Sequence, residues 1–328
     1  MATGKASDFK IYDEQFYGGM FEAMDQNTNA FNAASNGAIQ MVARDVLGDY
    51  EKESFLKDVT SLITRRDTTS VGTATDLGMT MAELVSVKVN RKMGPVGQTL
   101  DAWRKIGKDQ REMSFKLGGM IGMAKMKDYA NTAVLVAAAA LDSVAALTYD
   151  ATALATPTLT ATALVNGLAK MGDMASSVVC WIMHSKNYFD LVKQAIADKL
   201  YEEAGAVVYG AQPGTLNRPV VVIDAPGLTD SLASQTNDTY NVLGLVAGGV
   251  ALVESEQQEI VSQVVTGLEN LIFRIQGEYA FNLGVKGFQW DTTHGGVNPT
   301  DAALGVSTNW DQVATSVKNC AGVRIVCS

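Results

Sequence analysis

Helical spacing dominates residues 98–143. Met113, Leu117, Met120, Ile121 and Ala124 recur at helical intervals, with Arg111, Glu112, Lys116, Lys125 and Lys127 supplying charge between them. The stretch ends in an apolar run, residues 132–141 (TAVLVAAAAL). Gly107, the pair Gly118 and Gly119, and Gly122 oppose a helix, since each costs roughly 1 kcal/mol against alanine. The regular part is therefore expected from about Asp109 to Leu141. At 1.5 Å per residue such a helix is roughly 50 Å long, more than an ordinary compact domain needs. Its apolar end is too short for a membrane span, which takes about 20 residues. The pattern predicts a strut.

Upstream, residues 2–36 are polar with aromatics strung through them: Phe9, Tyr12, Phe16, Tyr17, Phe21 and Phe31. This segment is either a loosely packed leader helix or an arm whose aromatics lie on other elements or on a neighbouring chain. Ile39, Met41, Val42, Val46 and Leu47 predict a short amphipathic helix after it. Residues 62–67 read as a strand, and a Thr-, Ser- and Gly-rich turn region follows to Gly78. Val85, Val87 and Val89 then alternate with Ser86, Lys88 and Asn90 at the period of a half-buried strand. Gly94 and Pro95 are expected to close this hairpin. Two strands alone are marginal in water, so the hairpin needs a partner sheet. Arg65, Arg66, Arg91 and Lys92 fall toward the strand ends, as a solvated basic face or as a docking surface for an acidic neighbour.

Downstream, an Ala- and Thr-rich stretch around Pro157 suits a hinge, and residues 160–170 read as a helix. Residues 178–183 form a continuous apolar run suited to a strand buried on both faces. Ser185 is placed to cap a helix carrying Tyr188, Leu191, Val192, Ala195, Ile196 and Leu200. Strands are expected at 206–209 and 219–223, giving an α/β lobe. Two short strands should flank Gly248 and Gly249. Residues 269–290 should form a ribbon bent at Gly277, Gly284 and Gly287. Residues 309–318 look helical, and 322–326 form a last strand.

Composition narrows the function classes. A chain of 328 residues that is 47% hydrophobic can form two domains or one elongated one, and is not disordered throughout. A net charge of −9 argues against a tight grip on a nucleic-acid backbone, which needs clustered Lys and Arg. It leaves open lying beside nucleic acid without gripping it. Cys180, Cys320 and Cys327 cannot all pair within one chain and sit among apolar residues, which points to a reduced setting. The first residues lack the apolar core of a signal peptide, and no segment reaches membrane length, so a soluble protein made in a cytoplasm is expected.

The sequence offers little recognisable chemistry. His184 and His294 lie outside any His-Glu-x-x-His motif, and no Cys-x-x-Cys pair occurs. Cys180 and His184 share a strand face, but residues four apart in a strand are too distant for a direct bond. Cys180 reads instead as a buried small hydrophobe. Gly210 and Gly214 lack the Lys-Ser/Thr of a P-loop, no Gly-x-Gly-x-x-Gly opens a helix, and no Gly-x-Ser-x-Gly elbow is present. Glu254, Glu256 and Glu259 could offer oxygen ligands to a divalent cation, although a solvated turn is the simpler expectation. Glu202 and Glu203 read the same way, and residues 291–301 hold oxygen ligands in no recognised loop spacing. No cofactor, metal site or catalytic group is expected.

Three segments carry a family resemblance: residues 177–189 (SVVCWIMHSKNYF), residues 218–227 (RPVVVIDAPG), and a tail comprising 298–304 (NPTDAAL), Asn309 with Trp310, and 321–325 (AGVRI). Together with the order of arm, hairpin, strut, lobe and ribbon, they resemble the major capsid (coat) proteins of tailed bacteriophages. The resemblance implies an α+β Hong-Kong-97-type fold. It divides the chain into an N-terminal arm (1–60), an extended hairpin loop (61–97), a peripheral-domain spine helix (98–147), an axial domain (148–240), a peripheral-domain β-ribbon (241–290) and a C-terminal part of the axial domain (291–328). It further implies a non-catalytic shell protein of the virion, copied into hexamers and pentamers around packaged double-stranded DNA and assembled in a host bacterial cytoplasm. Phe9, Tyr12, Phe16, Tyr17, Arg65, Arg66, Arg91 and Lys92 become the candidate inter-subunit contacts. Relatives that carry a cleaved scaffold segment place it before the arm; its absence here implies a separate scaffolding protein, alongside a portal protein and in some relatives a decoration protein. Relatives that crosslink use lysine and asparagine, but Lys88 and Lys92 are too ordinary in a hairpin to imply that. An encapsulin-like nanocompartment shell shares the fold. A soluble α/β ligand-binding protein or enzyme is the alternative from another class.

Overall fold

A computed structural model describes residues 17–20, 22–24, 31–43, 48–57, 63, 65–66, 68–73, 78, 81–99, 101–102, 105, 110–154, 156–197, 199–203, 206–209, 215–230 and 239–328. In chain order come β1 (Ile39–Ala43), β2 (Tyr50–Leu56) and β3 (Met81–Thr99), then the long helix α1 (Gln110–Asp142). A second group follows: β4 (Thr148–Asp150), α2 (Ala161–Ala169), β5 (Val178–Met183), α3 (Ser185–Ala197), β6 (Lys199–Glu203), β7 (Ala206–Tyr209), β8 (Val220–Val222) and β9 (Thr229–Asp230). The chain then forms β10 (Thr239–Val246), β11 (Val250–Val265), β12 (Ile272–Val285), β13 (Phe288–Trp290), α4 (Asp301–Leu304), β14 (Trp310–Gln312) and β15 (Gly322–Cys327).

Pairing sorts these strands into two main sheets. The first, running β1, β11, β12, β3, β2 through successive pairings, is continued from β12 through β13 to β14. The second runs β4, β15, β10, β5, β8, with β9 beside β10, while β6 and β7 pair separately. The chain crosses between sheets at the β10–β11 turn, where Gly248 adopts a left-handed φ of +65°. α1 lies against the first sheet: Tyr129 packs edge-on to Phe281 and Tyr279 of β12 at 4.9 and 5.8 Å. Its alanine-rich end is buried on nearly all sides, from Ala137 to Leu141. Small side chains there let neighbouring backbone approach; a Cβ on Gly227 would stand 2.5 Å from Cα of Leu135. In the second sheet, α2 lies directly on β15, because a Cβ on Gly167 would meet Ile325 at 2.5 Å.

The strut, β5, α2, β7, β8, the strands flanking Gly248 and Gly249, the ribbon strand β12 and the last strand β15 sit where the sequence pattern placed them. Elsewhere the structure differs. Ile39–Ala43 is a strand rather than a helix, held in a parallel ladder with Val250–Glu254 of β11; five residues with β-branched Ile39 and Val42 follow the ladder they meet, not their own periodicity. Residues 44–47 of that expected helix lie outside the described residues. The described residues of 62–67 form no strand, and the partner of β3 is β2, upstream. β3 is not closed by Gly94 and Pro95. It runs through them, and Pro95, lacking an N–H, sits where the β12 pairing shifts register between Ile275 and Gly277. Ser185 does not cap α3 but starts it; Asp224 accepts from its N–H at 3.0 Å, and His184 Nδ1 accepts from the N–H of Lys186 at 3.2 Å. Residues 309–318 are no helix. Trp310 is drawn into β14 opposite Trp290, and Ser316 turns the chain by accepting from the Lys318 N–H.

Candidate assembly surfaces

A buried lysine fastens the middle of α1 to its sheet. Lys125 has no exposed side-chain surface, and its Nζ donates to Glu254 of β11 and, at 2.9 Å, to Gln258. The rings of Tyr129 and Tyr279 flank the ammonium at 5.4 and 5.0 Å. Burial pulls the Lys125 pKa down, and the Glu254 carboxylate opposes that shift. Burial pushes both tyrosine hydroxyls above their ordinary range, with Glu254 adding to it at Tyr129 and Asp128 at Tyr279. On the opposite face of the sheet, Lys88 of β3 reaches across β12 to Glu256. The acidic run 254–259, expected as a solvated turn, is thus part of β11, and its first two glutamates each meet a buried lysine.

Arg91, expected at an inter-subunit contact, is engaged within its own chain. Its Nε lies 3.2 Å from Asp128 of α1, and its Nη2 donates to Thr132 at 3.2 Å and to Asp301 of α4. Burial alone lowers its pKa, but the Asp301 hydrogen bond and the Asp128 charge outweigh it and leave the pKa raised. Lys92, the next residue of β3, is exposed. Arg65 and Arg66 are both exposed, as is Ile63 beside them at 93%.

The described part of the arm begins at Tyr17. Phe9, Tyr12 and Phe16 lie outside the described residues. Tyr17 is half-buried, and its hydroxyl donates to the Ile260 carbonyl at 3.3 Å. Met20 is fully buried against Ile275, with Leu117 and Ile121 of α1 and Ile260 and Phe273 of the ribbon around it. The glycines that weakened the helix prediction explain this contact. A Cβ on Gly122 would stand 2.9 Å from the Met20 carbonyl oxygen, and one on Gly19 would stand 2.4 Å from that of Phe115. Bare backbone on both sides lets the arm cross α1. The sequence signal was present in Gly18, Gly19, Gly118, Gly119 and Gly122, but only contact distances assign it a purpose.

Chemistry elsewhere is sparse. Among the described residues no group of three His, Cys, Asp or Glu could hold a metal ion. Burial pushes the thiols of Cys180 and Cys320 up to about 11 and that of Cys327 to about 12, so they remain protonated. His184 faces Asp224 at 3.3 Å and the Tyr240 ring rather than Cys180. His294 is held protonated above its usual range by the hydrogen bond to Asp291, on an exposed loop.

A long helix laid on one sheet, an arm strapped over it, a long connection between β2 and β3 that exposes Arg65 and Arg66, and a second α/β sheet define a shell subunit of the phage-capsid type. The capsid of Ralstonia phage GP4 has a similar fold, with a TM-score of 0.51 over 89% of this chain and 87% of that one at 10% identity. The Mycobacterium phage Adephagia structure matches at 0.50 over 90% and 89%, at 9% identity, and that of Mycobacterium phage Cain at 0.50 over 90% and 89%, at 11%. No curated protein matches the sequence. The family model described as "Gp13-like: Major capsid protein 13-like" matches residues 8–324, and the chain belongs to that family. It is a structural, shell-forming major capsid protein of the Hong-Kong-97-type fold.

Proposed function

We propose that this capsid protein assembles as hexamers and pentamers into an icosahedral head shell around packaged double-stranded DNA, and that it catalyses no reaction. The observation that carries the proposal is the exposed segment joining β2 and β3, where Ile63, Arg65 and Arg66 stand in solvent on an otherwise acidic chain of net charge −9. Another subunit can supply the covering that this segment lacks among the described residues. In this arrangement residues 61–97 form the reaching loop, α1 with the ribbon strands β11 and β12 forms the peripheral part, and the sheet containing β5, β10 and β15 forms the axial part. Residues 1–60, including the aromatics Phe9, Tyr12, Phe16 and Tyr17, serve as the arm. The net negative charge suits DNA that must enter and leave without sticking, because a phosphate backbone is gripped only by clustered cations. Assembly takes place in the host bacterial cytoplasm with a scaffolding and a portal protein, and a decoration protein is compatible with the exposed face.

Replacing both Arg65 and Arg66 by Glu tests the reaching loop. The expected result is loss of particles in electron micrographs, while circular dichroism of the subunit stays unchanged. Particles of normal size and yield from this variant would sink the loop's role.

A further inference from the structure

Two register shifts lie side by side across the first sheet. To pass from the Glu254–Phe281 pair to the Glu259–Glu278 pair, β11 uses two more residues than β12. Between the Val96–Ile275 and Met93–Gly277 pairs, β3 uses one residue more than β12. Gly277 separates the two irregularities, and a Cβ there would stand 2.8 Å from Ile260 and 2.9 Å from Met93. Extra residues leave ladder positions unpaired and bend the strand that carries them. The hydroxyl of Ser255, in the bulged stretch, is buried with no hydrogen-bond partner among the described residues. The flanking strands stop short of this level, since β1 leaves β11 at Glu254 and β2 leaves β3 at Val87. The core divides here too. The small cluster around Met20 and Ile275 is separate from the main one, which takes up α1 from Met126 onward. Among the described half-buried apolar residues only Met24 packs against both.

We propose that the first sheet is hinged along this line: the ribbon beyond Gly277, with the arm and α1 up to Gly122, swings as one body against the part that carries β1 and β2, and Lys125 is the catch. The Lys125 ammonium donates to Glu254, where the regular ladder ends, and at 2.9 Å to Gln258, inside the bulge. One buried side chain therefore ties the two sides together. Lys88 holds Glu256, midway along the bulge, from the other face. Beyond the line three described strands continue, β3 from Val96, β11 from Ile260 and β12 up to Gln276. Each body keeps its own apolar cluster, so a small rotation at the unpaired ladder positions repacks neither. A shell of hexamers and pentamers sets one sequence against its neighbours at more than one angle, and this line is where the subunit takes up the difference.

Spin-label distances in the full-length, unassembled subunit test the hinge independently of any shell. The three native cysteines are buried, so nitroxides attach at introduced ones. Gln40→Cys with Gln263→Cys spans the line. Gln40→Cys with Ser54→Cys lies on one side of it and Met120→Cys with Gln263→Cys on the other, all four positions being exposed. The spanning pair is expected to give a distance distribution about twofold broader than either control. Gln258→Leu, which frees the bulge from Lys125, should broaden it further while the controls and the circular dichroism stay unchanged. Equal widths in all three pairs would overturn the hinge and leave the shell reading standing. Broad distributions in both pairs that contain Gln263 would place the motion in the end of β11 alone, and would overturn it as well. A spanning pair that ignores Gln258→Leu would remove Lys125 from the device.

Discussion

A lysine with no exposed side-chain surface keeps its charge only if its surroundings return what water supplied. Around Lys125 they do so with one carboxylate, one carboxamide and two aromatic faces. Removing one member therefore costs more than the pair contributes, because the partner is left desolvated. Lys125→Ala is expected to destabilise the unassembled subunit by about 3–5 kcal/mol in a urea titration. Lys125→Met combined with Glu254→Leu should be neutral or stabilising by about 1–4 kcal/mol, since two apolar side chains replace a buried ammonium and a half-buried carboxylate. A Lys125→Ala cost below about 1 kcal/mol would mean that water reaches the site. In the sequence Lys125 is one of several charges interrupting an apolar stripe. Nothing in a single helix separates a buried, paired lysine from a solvated one, and the partner lies 129 residues away.

At the scale of elements, the crossing of the arm over α1 depends on residues that helix propensity disfavours. In an isolated helix Gly122→Ala would stabilise by about 1 kcal/mol. Here the added methyl would press on the Met20 carbonyl at 2.9 Å, so the gain within α1 comes at the expense of the arm. Hydrogen exchange of Gly122→Ala should show residues 17–24 losing protection while 126–141 keep theirs. Gly19→Ala should do the same, and the double variant should add little, since both break one contact. Undiminished arm protection in both single variants would show that the backbones can separate far enough to admit a methyl group at no cost.

Which elements were legible follows the same division between local and distant causes. The strut, β5 and α2 were legible because their apolar spacing runs long enough, or is continuous enough, to fix the element locally. The β1 strand and the region around Trp310 were not, because five residues or fewer carry too little periodicity to outweigh a ladder formed with β11 or β13. The Asp224 cap of α3 was hidden for a related reason: the acceptor lies 39 residues from the N–H it holds. Arg91 could be singled out from charge and position, whereas its partners Asp128 and Asp301 reach it only once β3, α1 and α4 have packed together.

Across the whole molecule, Arg91 joins three elements that are distant in sequence. From β3 it spans to Asp128 and Thr132 on α1 and to Asp301 on α4, and its guanidinium sits 5.9 Å from the Phe281 ring centre. The segment holding α4 also meets the first sheet through Asn298, which accepts from the Asn90 N–H at 2.9 Å, and through the indole N–H groups of Trp290 and Trp310, which donate to the Gly296 and Leu304 carbonyls at 3.0 Å. Arg91→Leu keeps the aliphatic packing and removes the fork. Asp301 is 59% exposed and regains water, whereas Asp128, at 30%, does so only in part, so the loss should come to about 1–3 kcal/mol. A domain of this size shifts its midpoint by roughly 2–4 °C per kcal/mol, which puts the expected fall at several degrees in a thermal melt. Arg91→Lys should restore only part of it, since a single ammonium cannot serve two carboxylates and a hydroxyl in fixed directions. The decisive reading is hydrogen exchange at residues 298–305: if Arg91 ties α4 to the strut, these amides exchange faster in Arg91→Leu, while those of β10 and β15 in the second sheet do not change. Equal acceleration in both places would mean that the substitution had weakened the fold as a whole rather than the joint.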